Sequence, residues 1–127
     1  MIIGAGVDIV EIPRMKKAVA KWGGGFLSKV FTAREIKYAN SRAIPNQHLA
    51  ARFAAKEAVI KAFGEPKKFP IKWTDIEVLN NEEGKPVIEF HGGAKRLKKI
   101  KKVSEVIVSM SHSKNYAIAN VILTKGR

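Results

Sequence analysis

The stretch Arg52-Phe53-Ala54-Ala55-Lys56-Glu57-Ala58-Val59-Ile60-Lys61-Ala62-Phe63-Gly64 limits what the chain can fold into more than any other. Alanine, lysine and glutamate are strong helix formers, and Gly64 suits the position just past a helix C-terminus, where a left-handed residue is favoured. Each helical residue turns the chain by about 100°, so with Leu49 at zero Ile60 falls at about 20°, Phe53 at about 40° and Phe63 at about −40°. Lys56 falls at about −20°, inside that apolar sector, and Glu57 at about 80°, on its shoulder. Lys61 lies one turn beyond Glu57. Charges held against a core face are unfavourable unless something compensates them. Two explanations fit the helix alone. In one, Glu57 and Lys61 form an i,i+4 ion pair and Lys56 carries its ammonium out to water. In the other, Glu57 binds a metal and the lysines hold an anion.

The surrounding chain supplies a single domain over residues 1–127. Its 127 residues, 46% of them hydrophobic, suffice for one core. Cysteine is absent, which excludes a disulfide scaffold and a zinc–thiolate site and suits a reducing cytoplasm. No run approaches the roughly 20 apolar residues of a membrane span, and Asp8 interrupts the apolar N-terminal run, which argues against a signal peptide. The net charge of +13 calls for acidic partners.

Met1 to Ile12 reads as a strand, with Gly4 and Gly6 marking a bulge or the close approach of another backbone. Asp8 stands between Val7 and Ile9; it is either a strand-end residue bonding its own backbone or a functional group. Pro13 opens a helix anchored by Met15, Ala18, Val19 and Trp22 and ended by Gly23-Gly24-Gly25. Arg14, Lys16, Lys17 and Lys21 lie largely outside its apolar stripe. Phe26 to Phe31 forms a short helical turn. Thr32 and Glu35 match a capping box for a second helix that runs to about Ser41. After a loop from Arg42 to Asn46, the central helix begins at Asn46 or Gln47. Glu65 to Lys72 is a loop. A hairpin follows, from Trp73 to Asn80 and from Pro86 to His91, with its turn over Asn80 to Lys85. Gly92-Gly93 ends it. Ala94 to Lys102 is a strongly basic helix, and Ser104 to Ser111 with Asn115 to Thr124 make a second hairpin turning through His112-Ser113-Lys114. The order β-ααα-ββ-α-ββ defines an α+β fold, a mostly antiparallel sheet with helices packed on one side.

No nucleophilic triad and no glycine-rich phosphate loop emerge from this order. The informative set is Asp8, Glu57, Lys61 and His112. Two carboxylates reaching one point make a hard-oxygen site for Mg²⁺, which keeps waters and leans on substrate phosphates. Phe53-x-x-Lys56-Glu57-Ala58-x-x-Lys61-Ala62 resembles the signature helix of the 4′-phosphopantetheinyl transferases, and Gly6-Val7-Asp8-Ile9-Val10 resembles their other signature. The resemblance runs from Ile2 to about Leu123 and is to the small homotrimeric type.

That resemblance implies transfer of 4′-phosphopantetheine from coenzyme A to a serine of apo-acyl carrier protein, with release of adenosine 3′,5′-bisphosphate. It implies that Mg²⁺ bridges Asp8 and Glu57 to the pyrophosphate, that Glu57 helps remove the serine proton, and that Lys61 stabilises the pyrophosphate, with Lys56 a second candidate. Ser111-His112-Ser113 is similar to a segment lining the coenzyme A site. Gly84-Lys85-Pro86 is similar to a third, looser motif near its nucleotide end. The resemblance also implies that Arg14, at the position of a family arginine, helps dock the acidic carrier, with Lys21 extending the same charged helix. Active sites between subunits would suit motifs on elements far apart. The competing reading is a small nucleic-acid-binding module using Lys95 to Lys102 against phosphates. The aromatics read as core anchors rather than a stacking row, which argues against it. A purely structural subunit leaves the Asp8 and Glu57 motifs unexplained.

Overall fold

The computed structural model describes residues 1–64 and 70–126; most of the loop expected over Glu65 to Lys72 lies outside them. The elements are β1 (Ile2–Glu11), α1 (Ile12–Val30), α2 (Ala33–Asn40), α3 (Pro45–Ala62), a 3₁₀ turn (Trp73–Asp75), β2 (Ile76–Asn80), β3 (Pro86–Phe90), α4 (Gly92–Ile100), β4 (Glu105–His112) and β5 (Tyr116–Thr124). The order is the α+β order expected. The strands divide into a three-stranded sheet, β1-β5-β4, and the separate hairpin β2-β3, and every pairing is antiparallel.

Helix α3 lies between these parts. It packs on β1 and β5 of the larger sheet and also meets α1, α2 and β2. That placement buries Ala50, Ala51, Ala54, Ala55, Ala58 and Ala62 together with Leu49 and Val59. A single apolar stripe therefore describes α3 only in part, because alanines let neighbours close in from several sides.

The two β1 glycines answer to the same packing. A Cβ on Gly4 would stand 2.1 Å from the carbonyl oxygen of Ala62, and one on Gly6 would stand 2.0 Å from that of Ala58. The strand thus touches the helix backbone to backbone. A register shift between Ile2 and Gly4 adds the bulge.

Several element ends differ from the sequence expectation. Helix α3 starts at Pro45, because proline at the first helical position loses no hydrogen bond. Helix α1 runs on to Val30 but is broken at Gly23, whose φ of 58° and ψ of −140° are not helical. Gly92 and Gly93 open α4 rather than precede it, and a Cβ on Gly93 would stand 2.2 Å from the carbonyl oxygen of Pro70. Trp73 to Asp75 forms a 3₁₀ turn instead of strand, closed by the Lys72 N–H donating to Asp75 Oδ2 at 3.0 Å. His112 ends β4, paired with Ala117, so the turn falls on residues 113–115. The capping box of α2 forms as expected: the Glu35 N–H donates to Thr32 Oγ1 at 3.3 Å and the Thr32 N–H to Glu35 Oε1 at 2.9 Å.

Candidate active site

The packing of β1 on α3 opens a cleft of 490 Å³ at the foot of α1. Asp8 enters it from β1, Arg14 from α1, and Glu57 and Lys61 from α3, over an apolar floor that includes Val10, Met15, Phe26 and Phe53. Asp8 alternates inward along β1 between Val7 and Ile9, which face outward. Lys61 Nζ reaches across from the helix to Asp8 Oδ1 at 3.0 Å and to the Val7 carbonyl oxygen at 3.3 Å. The Asp8 carboxylate is 17% exposed and the Lys61 side chain 45% exposed, so both remain open to a ligand. Three carboxylates, Asp8, Glu57 and Glu11 at the end of β1, and two cations therefore rim one mainly apolar cleft. Hard oxygens suit a divalent cation such as Mg²⁺, and a guanidinium and an ammonium suit phosphate oxygens.

Lys56 does not join them. Its ammonium is fully buried and donates to Glu35 Oε1 at 2.8 Å, to the Trp73 carbonyl oxygen at 2.9 Å and to the Ile76 carbonyl oxygen at 2.5 Å. All three donors are thus occupied inside the core, and the expected contact with an anion is corrected to a structural role. Burial lowers the Lys56 pKa, and the Glu35 charge and hydrogen bond oppose that shift. Glu35, read from sequence only as a cap, also accepts the Val78 N–H at 2.9 Å. This network joins α2, α3 and β2.

His112 lies elsewhere in the chain. Its ring meets His48 edge-on at 5.9 Å, and His48 meets Tyr38 at 5.6 Å. The Arg52 guanidinium sits 4.2 Å over the Tyr38 ring and donates to Asn80 Oδ1, while its buried Nε has no hydrogen-bond partner among the described residues. Asn80 Nδ2 in turn donates to the Gly84 carbonyl oxygen at 3.0 Å, which ties the turn carrying Gly84, Lys85 and Pro86 to Arg52. Burial first, then the charges of Arg52, His112 and Arg42, lower the His48 pKa. The pocket formed by Arg34, Tyr38, Arg52 and Asn80 shares no residue with the Asp8 cleft. Ser113 stands in the β4–β5 turn, its N–H donating to the Tyr116 carbonyl oxygen at 2.8 Å. Sequence reasoning missed Arg52 as a functional candidate. An arginine among alanines on a helix predicted to be buried was the available signal.

A third cluster joins Glu77, Glu89 and His91, whose ligand atoms lie within 4.8 Å of one another. Arg34 already supplies the cation there, 3.1 Å from Glu77 through Nε and 3.2 Å from Glu89 through Nη2. Burial alone would raise the Glu77 pKa, but hydrogen bonds from Arg34, Thr32 and His91 bring it down to about 2. This cluster lies on the β2–β3 hairpin and includes none of the cleft residues.

Fold and site define the class: residues 4–121 match the 4′-phosphopantetheinyl transferase superfamily. A holo-[acyl-carrier-protein] synthase of Thermodesulfovibrio yellowstonii is 48% identical over 124 residues, 98% of this chain and 100% of that protein. The crystal structure of holo-[acyl-carrier-protein] synthase from Neisseria meningitidis covers 98% of this chain and 100% of its own, at 30% identity and a TM-score of 0.89. A Bacillus anthracis holo-(acyl-carrier-protein) synthase in complex with CoA (3′,5′-ADP) matches at 34% identity and a TM-score of 0.79, over 99% of each chain. The chain belongs to this superfamily, as an enzyme of the holo-[acyl-carrier-protein] synthase type. Among the described residues no helix is long and apolar enough to cross a membrane.

Proposed function

We propose that the enzyme transfers 4′-phosphopantetheine from coenzyme A to a serine of apo-acyl carrier protein in a Mg²⁺-dependent reaction that releases adenosine 3′,5′-bisphosphate. The observation that carries this reading is the convergence of Asp8, Glu57 and Lys61 on one cleft. Asp8 and Glu57 have the donor chemistry to hold Mg²⁺, which when bound would offset the charge building on the leaving phosphate. Glu57 takes the serine proton as the serine oxygen attacks the phosphorus on the pantetheine side. Lys61 steadies the pyrophosphate oxygens as the bridging P–O bond breaks. Arg14, on the cleft rim, and Lys21, exposed further along α1, face the acidic carrier.

We further propose a homotrimer with active sites between subunits. The outer face of the larger sheet is apolar and open: Ile9 is 61% exposed and Val7 52%, and Ile107, Tyr116 and Ile118 continue the patch. Apolar surface of that kind favours a partner. Arg52, His112 and the Gly84-Lys85-Pro86 turn lie outside the Asp8 cleft of their own chain, so a neighbouring copy is the natural source of these groups for the nucleotide end of coenzyme A. The orphan Arg52 Nε suits a phosphate oxygen there. A cytoplasmic location suits both substrates and the absence of cysteine.

The test is the mass of an apo-carrier protein incubated with the enzyme, coenzyme A and Mg²⁺. The expected gain is one phosphopantetheine group, abolished by chelating the metal. An unchanged mass would overturn the reading, and binding of nucleic acid by the same preparation would favour the competing one.

A further inference from the structure

Helix α4 and the two residues that follow it carry a charge that the transfer reaction does not use. Lys95, Arg96, Lys98, Lys99, Lys101 and Lys102 fall within eight positions, with no carboxylate among them. Among the described residues none of the six has an ion-pair partner. Lys98 lies over the Phe90 ring, and Lys101 Nζ donates to the Phe63 carbonyl oxygen at 3.0 Å. Lys95, Arg96, Lys99 and Lys102 are left exposed. Like charges three and four residues apart destabilise a helix, so an anionic partner would relieve α4. In the middle of this arc Ile100 is 59% exposed.

Lys101, just past the end of α4, reaches the Phe63 carbonyl oxygen just past the end of α3, the helix that sends Lys61 into the cleft. We propose that α4 is a landing surface for the acidic carrier protein, with Ile100 as its apolar anchor and the exposed cations as a steering rim. The inference rests on the function proposed above. An apolar side chain ringed by charge fits a protein surface, where anchors are apolar and rims polar. A phosphodiester backbone offers Ile100 nothing to bury, and α4 has no aromatic on which a base could stack. A helix of nine residues, about 13 Å long, matches one acidic helix better than a membrane plane.

The experiment follows association of a fluorescently labelled apo-carrier protein with the full-length enzyme at low and high salt, with turnover measured separately. Lys95→Glu with Lys99→Glu slows association about tenfold at low salt and converges on wild type at high salt. The charge-matched pair Lys37→Glu with Lys125→Glu has a much smaller effect. Ile100→Ser weakens carrier binding roughly tenfold at both salts, through faster dissociation. The KM for coenzyme A and the kcat at saturating carrier stay unchanged in all three. These variants sit on exposed positions apart from the half-buried Lys125, and circular dichroism checks their folding. An α4 pair no worse than its control would overturn the inference. So would a single-stranded RNA, or a phosphatidylglycerol vesicle, whose binding needs α4 while carrier association does not. If the wild type transfers nothing yet carrier association depends on α4, the reaction is wrong and the surface stands.

Discussion

Gly6 lies against Ala58 so closely that a Cβ on the strand would stand 2.0 Å from the helix carbonyl oxygen. Asp8 and Glu57 leave their elements beside this contact, so the glycine sets how near the two carboxylates can come. Gly6→Ala must push β1 away from α3, because the obstructing atom is backbone. We expect a loss of about 1–3 kcal/mol in stability and of about a hundredfold in turnover, since small displacements of reacting groups are costly. Urea unfolding and steady-state kinetics on the same preparation measure both. Wild-type turnover in a folded Gly6→Ala variant would mean that the approach does not position the site.

The buried Lys56–Glu35 pair makes a second prediction. Lys56→Met leaves the Glu35 carboxylate buried without its cation and should destabilise the fold by about 3–5 kcal/mol. Lys56→Met combined with Glu35→Gln removes the stranded charge and should recover part of that loss. The urea midpoints of the two variants give the comparison, and equal losses would contradict the pairing.

That pair also marks where the sequence was readable and where it was not. The helical wheel placed Lys56 in the buried sector and Glu57 on its shoulder, and both are so placed. It could not say whether Lys56 turned its ammonium outward or inward, because the answer depends on Glu35, Trp73 and Ile76 from other elements. Gly4 and Gly6 signalled a close backbone, but not whose. Turn chemistry revealed the Thr32 cap and the β4–β5 hairpin. The division into two sheets depends on long-range pairing that no local pattern carries. Arg52 was passed over because its partners, Tyr38 and Asn80, come from α2 and β2.

Glu77 ties stability to pH. Its folded pKa of about 2 lies below the usual 4.5, so its contribution is present above 4.5 and is lost as pH falls toward 2. The urea midpoint of the wild type should decline over that interval, and Glu77→Gln should flatten the decline while lowering the midpoint at neutral pH. Parallel curves would show that other carboxylates govern acid unfolding.

Assembly is open to direct test on the exposed sheet face. Val7→Glu places a charge in the patch shared with Ile9 and Ile118, where burial of an unpaired carboxylate is unfavourable. Sedimentation equilibrium should find trimers of wild type and monomers of the variant, with transfer lost in the monomer. A monomer fully active at assay concentration would contradict a site shared between subunits.

The measurement that bears most directly on the cleft is the rate of phosphopantetheine transfer by Glu57→Gln at saturating Mg²⁺ and coenzyme A. The substitution keeps the shape of the side chain, weakens the metal ligand and removes the base. Turnover should fall by about 10²–10⁴-fold with the fold intact, whereas a near-normal rate would contradict the role assigned to Glu57.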